Sequence, residues 1–156
     1  MSDDTLKSCT IGICDGLNLL LPDNLIGDVI SAIGITALEN HDPWFIGETE
    51  WRGLQLPVIS IEQLIRNGPA RIHGSHIAVF RGTHDPARLP FYGVPLQAAP
   101  HSYPISHGGE LTLLEDAKSF DFCLQKVRVR GVSTLIPDLE GIEERLLETL
   151  PGKAQS

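Results

Sequence analysis

Pro43-Trp44-Phe45-Ile46-Gly47-Glu48-Thr49-Glu50-Trp51-Arg52-Gly53-Leu54-Gln55-Leu56-Pro57-Val58-Ile59-Ser60-Ile61-Glu62-Gln63-Leu64 compresses a strand, a turn, a second strand and a helix start into one run. Two apolar-rich segments, Phe45 to Trp51 and Leu54 to Ile61, are separated only by Arg52-Gly53, the spacing of a tight β-hairpin in which Gly53 takes the positive φ. Arg52 therefore belongs at an exposed tip. In the second strand Leu54, Leu56 and Val58 alternate with Gln55, Pro57 and Ile59, so one face is core. Pro57 cannot donate to a ladder, which points to an edge strand. Ser60 with Gln63 three residues on has the form of a capping box, Leu64 and Ile65 follow on one helical face, and Asn67-Gly68 is a helix stop.

Working outward, Cys9–Cys14 and Leu17–Leu21 flank Asp15-Gly16, a strong hairpin signal, and Asn24 to Ser31 reads as a turn and a further strand. Ala37 to Asp42 is a polar connection. Gly68-Pro69, within Arg66 to Gly74, marks a crossing into a second half of the chain. His76, Ala78 and Phe80 against Ile77, Val79 and Arg81 allow a buried strand with His76 half buried, ended by the turn-rich Gly82-Thr83-His84-Asp85-Pro86. Leu89 to Ile105 carries four prolines, which break it into short strands with bends. Phe122 to Val132 alternates as a strand that Gly131 ends or bulges. After Pro137, Asp138 can cap a helix whose Leu139, Ile142, Leu146, Leu147 and Leu150 share a face, and Pro151-Gly152 stops it. The last residues, 151–156, are expected to fray.

Composition narrows the function classes. A net charge of -8, with 12 Lys and Arg scattered among 20 acids, argues against nucleic acid as a partner. There is no run of the length a spanning helix needs, and Met1-Ser2-Asp3-Asp4 lacks the basic and hydrophobic blocks of a leader, so a soluble, unexported, cytoplasmic protein is expected. Three cysteines without Cys-x-x-Cys spacing fit reduced side chains rather than a disulfide framework.

Residues able to carry chemistry are present without the patterns chemistry needs. His73, His76, His101 and His107 pair up in sequence, yet the nearest acids, Asp85 and Glu110, lie across Pro- and Gly-rich loops with no ligand motif, so no metal site is assigned. Cys9, Cys14 and Cys123 fall on strands and read as core rather than as activated thiols. No nucleophile elbow or phosphate-cradling Gly-rich loop occurs, and Glu115 and Asp116 are adjacent, so on a regular element they diverge. An enzyme is not the expectation, and no cofactor is assigned. Trp44 and Trp51, at the ends of the Phe45 strand, are assigned to packing. What remains is surface: Arg52, a planar cation able to pair bidentately with a partner's carboxylate, against the plainer reading of a solvated turn residue.

Gly47-Glu48-Thr49-Glu50-Trp51-Arg52-Gly53-Leu54-Gln55-Leu56-Pro57-Val58-Ile59-Ser60-Ile61 resembles the CheW family, adaptors of bacterial chemosensory arrays with a core pattern of roughly G-x-x-N-L-R-G-x-x-x-P-V-I-D-L. The Gly, Arg-Gly and Pro-Val-Ile positions match. Ser60 replaces the pattern's Asp, and both cap helices well. Asn18-Leu19-Leu20-Leu21-Pro22 and Ile26-Gly27-Asp28-Val29-Ile30 resemble the family's second and third strands, with Asp28 at the acid of V-x-E-V. The likeness is densest over residues 9 to 66. In the second half, where members carry G-x-x-V-D-x-V, this chain has Tyr92-Gly93-Val94-Pro95-Leu96-Gln97-Ala98, without the Asp and with a Pro. The Asp-Pro-Trp entry and Trp-Arg-Gly turn look closer to divergent accessory members of pilus-linked chemosensory systems, resembling ChpC.

The resemblance implies an all-β (mainly β) fold: two small SH3-like five-stranded β-barrel lobes sharing a hydrophobic centre, with a short C-terminal helix. It implies a single domain over 1–156, lobe 1 being approximately 8–66 plus 130–150 and lobe 2 approximately 72–129. It also implies a non-enzymatic adaptor that couples methyl-accepting chemoreceptors to a CheA-like histidine kinase in chemotaxis or twitching motility linked to a type IV pilus. The protein-binding residues carried over are Ile26, Asp28, Arg52 and Gly53. The implied partners are the kinase's regulatory domain and the cytoplasmic tip of the receptor, with no nucleic acid and no membrane insertion. The alternative is a small-molecule- or metal-binding β-barrel, or an enzyme, using the His-containing loops near Ser75 to Asp85 and His101 to Glu110.

Overall fold

A computed structural model of the chain describes residues 5–14, 17–37, 42–66, 75–106, 111–114, 121–129 and 131–149. β1 (Thr5–Cys14) and β2 (Leu17–Pro22) are an antiparallel pair in which Cys9 faces Leu21 and Ile11 faces Leu19, and the Asp15-Gly16 signal between them lies outside the described residues. A 3-10 turn at Asp23–Leu25 leads to β3 (Ile26–Ser31) and the two-residue β4 (Thr36–Ala37). The hairpin of the quoted stretch is β5 (Phe45–Trp51) and β6 (Leu54–Ile59), with Trp51 opposite Leu54 across the two-residue turn. The helix that follows is α1 (Ile61–Arg66), where Ser60 Oγ accepts the Gln63 N–H at 3.1 Å, one half of the expected box. The Ser60 N–H is taken instead by the Trp44 carbonyl at 2.7 Å. The Asn67-Gly68 stop lies outside the described residues.

Next come β7 (His76–Arg81), β8 (Phe91–Leu96) and β9 (Ala98–Ser106), the last two meeting at a bend on Gln97 as the prolines required. Then β10 (Leu111–Leu114), β11 (Cys123–Val129), β12 (Val132–Pro137) and α2 (Leu139–Thr149) complete the order. The strand expected from Phe122 to Val132 is shorter than that: Phe122 sits in a corner at φ 54, and Gly131 at φ 83 turns the chain into β12. Asp138 caps α2 as expected, its Oδ1 accepting the Gly141 N–H at 3.1 Å. Ile142 and Leu146 are fully buried, and Leu139 and Leu147 pack against the same core.

The strands form two six-stranded sheets, in the orders β10-β11-β12-β2-β1-β9 and β3-β7-β8-β6-β5-β4. The mainly β, two-lobed architecture is therefore present, with six strands per sheet instead of five. Strand pairing groups β1 and β2 with β9 to β12, and β3 to β8 with one another. Residues 26–96 make one sheet without interruption, while β1 and β2 pair with β9 and β12 in the other. The apolar run of β7 lies antiparallel to β3, and Gly68-Pro69 lies outside the described residues.

Three apolar clusters match the two faces of each sheet. The large shared one holds Ile11, Leu19, Leu21, Phe45, Ile59, Phe80, Tyr92, Leu135, Ile142 and Leu146. Leu20, Val127 and Val129 form a second cluster on the opposite face of their sheet, and Trp51, Leu56 and Val79 a third on the opposite face of theirs. Because side chains alternate along a strand, Leu20 must face away from Leu19 and Leu21, and Val79 from Ala78 and Phe80. Burying both faces explains why these strands read as near-continuous apolar runs. His76 ends its strand exposed rather than half buried, and β6 lies inside its sheet rather than at an edge. Pro57 is accommodated because the ladder between β6 and β8 has the single parallel pair Val58 with Gly93, leaving Leu54 to Pro57 without a ladder partner on that side.

Candidate functional site

Both central residues of the β5–β6 turn have positive φ, 51° at Arg52 and 78° at Gly53, which is the geometry of a type I′ hairpin. Gly53 tolerates it freely; an L-residue with a Cβ at Arg52 costs about 1 kcal/mol. Turn chemistry would choose Asn, Asp or Gly at that place. Arg52 projects with 70% of its side chain exposed, its Nη2 3.7 Å from Asp28 Oδ2 and its Cζ 4.9 Å from the centre of the Trp51 ring.

Asp28 reaches this point through a bulge. Ile26 faces Phe80 across the β3–β7 ladder and Asp28 faces Val79, so Gly27 is the extra residue. The bulge reverses the parity of β3, sending Ile26 to the shared core with Phe80 and turning Asp28 and Ile30 to the face of Val79 and Trp51. There Asp28 Oδ2 accepts the Trp51 indole N–H at 3.0 Å, and its Oδ1 accepts the Val29 N–H at 2.8 Å. These hydrogen bonds, the Trp51 one foremost, with a smaller contribution from the Arg52 charge, hold the Asp28 carboxyl below the usual carboxylate range. Trp51 is buried, edge-on to Phe91 with ring centres 4.7 Å apart. It packs, as its sequence position suggested, and also wires Asp28 to the turn.

Of the four carried-over residues, Asp28, Arg52 and Gly53 thus meet at one end of the second sheet, whereas Ile26 packs against the core on the other face. Beside the turn, Gly53, Leu54, Leu56, Arg88, Leu89 and Phe91 line a cleft of about 320 Å³ over the unladdered half of β6. Its far wall, Arg88 to Pro90, ends the 82–90 loop, whose start was legible only as a turn-rich break.

The start of that loop is fixed by a residue the sequence pattern did not single out. Glu143 of α2 is fully buried; its Oε1 accepts the N–H groups of Thr83 and His84, both at 2.8 Å, and its Oε2 accepts the Thr83 hydroxyl at 3.3 Å and the Tyr92 hydroxyl at 2.8 Å. A carboxylate can be buried because it is this well supplied with donors. Burial, then the Glu143 charge, push the Tyr92 hydroxyl well above its ordinary range. The signal was available: Glu143 falls on the apolar face of α2, next to Ile142 and one turn from Leu139 and Leu146.

The alternative chemistry gains no support from side-chain placement. Among the described residues, no group of three or more His, Cys, Asp and Glu could hold a metal. His84 presents its two ring nitrogens to two different carboxylates. Burial, with a further push from Asp23, raises the Cys9 thiol to about 11, and burial raises Cys123 as well, so neither is an activated thiolate at neutral pH. The side chains of Cys14, His73, His101 and His107, and the whole of Glu115-Asp116, lie outside the described residues. No described helix is long and apolar enough to cross a membrane.

The fold and the turn cluster define a two-sheet β protein with a polar hairpin tip and no assembled reaction centre among the described residues. No family model matches the chain, and no curated protein matches it. Among solved structures it is similar to the crystal structure of the scaffolding protein TtCheW from Thermoanaerobacter tengcongensis, with a TM-score of 0.72 and 15% identity over 97% of this chain and 92% of that one. At that identity the likeness establishes the fold.

Proposed function

We propose that the protein is a non-enzymatic adaptor of the CheW-like type that bridges methyl-accepting chemoreceptors and a CheA-like histidine kinase in the cytoplasm. The observation that carries this reading is the Asp28–Trp51–Arg52 cluster. It places an exposed guanidinium at an energetically unfavourable turn position, held by a carboxylate and an indole, on a fold similar over nearly its whole length to a CheW scaffolding protein. A residue that the turn itself does not favour is explained by what it meets outside the molecule. The exposed turn, with Asp28 and Gly53 beside it, serves as the docking end for the kinase's regulatory domain or the receptor's cytoplasmic tip. The absent Asp and the added Pro95 in β8 fit a divergent, ChpC-like accessory member working in a pilus-linked, twitching-motility system.

The test is calorimetric titration against the regulatory domain of a CheA-like kinase and against a receptor tip fragment from the same source. Saturable binding is expected with at least one, and Arg52→Glu is expected to weaken it about tenfold or more while leaving the unfolding midpoint in place. Affinities for both partners that are untouched by Arg52→Glu overturn the assignment of the site. A well-folded sample that binds neither overturns the function.

A further inference from the structure

His84 sits in the 82–90 loop, a few residues before the Arg88 and Leu89 that line the cleft, and both of its ring nitrogens are occupied. Its Nδ1 lies 3.1 Å from Glu140 Oε2 and its Nε2 3.4 Å from Glu144 Oε2, two carboxylates one helical turn apart on the outer face of α2. A neutral imidazole carries a proton on only one nitrogen, and its other nitrogen is a lone-pair acceptor. Facing a carboxylate oxygen, that lone pair is repelled. Only the imidazolium satisfies both contacts at once. From these distances we propose that His84 is a proton-operated clasp fastening the 82–90 loop to α2: closed while both nitrogens are protonated, loosened when one proton leaves.

The surroundings bear on the sign. From α2 the ring meets Glu140 and Glu144, with Glu148 and Leu147 lining the adjoining hollow of about 320 Å³ and Glu143 directly beneath, receiving the backbone N–H of His84 itself. From its own loop the charged neighbours are Arg88 and Asp85, which pair with each other at 3.8 Å. Acids therefore outnumber bases around the ring. The ring side chain is 28% exposed, Glu140 71% and Glu144 58%, so the clasp is open to solvent, while the Glu143 anchor below it is sealed. The two layers divide the work. Glu143 keeps the loop on the helix, and His84 sets how tightly its outer part is held. Because Arg88 and Leu89 of this loop form the far wall of the cleft beside Gly53, proton binding at His84 changes the firmness of that wall.

The experiment is amide hydrogen exchange of the intact chain at about pH 5.5, about pH 6.5 and about pH 8, spanning the range in which histidine ordinarily changes charge. Rates are expressed as protection relative to the unstructured chain at each pH. Protection of the Thr83 and His84 amides is expected to fall about two- to tenfold from the lowest to the highest pH, the scale of exposed ion pairs. The fall is expected to vanish in His84→Gln and, independently, in the double variant Glu140→Gln/Glu144→Gln, both surface changes that leave the Glu143 anchor in place. Protection independent of pH in the wild type overturns the clasp. An equal pH dependence in all three proteins assigns it to other groups and likewise overturns the clasp.

Discussion

Two carboxylates of this molecule do opposite things with the same chemistry. Glu143 is sealed under α2 and surrounded by four donors, so every lone pair that burial stripped of water has been re-supplied. Asp28 stands a third exposed, shared between an indole N–H and a guanidinium that mostly looks outward. The first arrangement is closed and specifies the fold. The second is left open on one side, at a turn whose φ values do not suit the residue placed there, and an open arrangement of that kind has room for a partner.

The contrast can be broken most forcefully at Glu143. Glu143→Ala leaves the Tyr92 hydroxyl and two amides without their acceptor and is expected to cost about 3 kcal/mol, read from the denaturant midpoint; a loss below about 1 kcal/mol would mean the buried node is not what holds loop to helix. At Arg52 the expected sign is the reverse. Arg52→Asn exchanges the arginine for a residue that a type I′ turn prefers and is expected to hold or raise stability, by up to about 1 kcal/mol, while weakening the proposed partner binding. A loss above about 1 kcal/mol in thermal or chemical unfolding would show that Arg52 is kept for the fold. The smallest effect lies in the pH dependence of Asp28. Its folded carboxyl is held below the unfolded value of about 3.9, so its contribution is complete above that pH and disappears as pH falls through the folded value. The stability gap between wild type and Asp28→Asn is therefore expected to be level from neutral down to about pH 4 and to close below it; a gap that widens in acid would contradict the hydrogen-bonded carboxylate.

Legibility in the sequence followed locality. The Arg52-Gly53 hairpin, the Ser60 cap and the Asp138 cap are decided by residues within a few positions of one another, and each stands where its pattern put it. The break at Phe122 was hidden because the alternation from 122 to 132 runs on across it, and only the Asp138 N–H to Phe122 carbonyl bond, at 2.7 Å, shows the corner being pulled toward α2. Sheet membership was hidden for a different reason. Both faces of β7 are buried, so its periodicity carries no information about which strand it joins. In the candidate site, the exposed tip at Arg52 was legible from the hairpin pattern and Asp28 only through family resemblance, and the parity reversal at Gly27 that separates Ile26 from them depends on a pairing register that no local pattern states. Glu143 could have been noticed as an acid on an apolar helical face; its four donors could not.

The pairing of β2 with β12, through Leu19 beside Leu135, has a consequence in time. One sheet is interrupted after its first hairpin, and the whole of the other, residues 26–96, is threaded before its remaining strands are made. A nascent chain therefore releases β1 and β2 long before β9, β11 and β12 exist to cover them, and this hairpin, with Cys9, Ile11, Leu19 and Leu21 on its inner face, must wait against the growing second sheet. Assembly ends where it started, and the rate at which the last strands find the first sets how long that apolar face stays open to other chains.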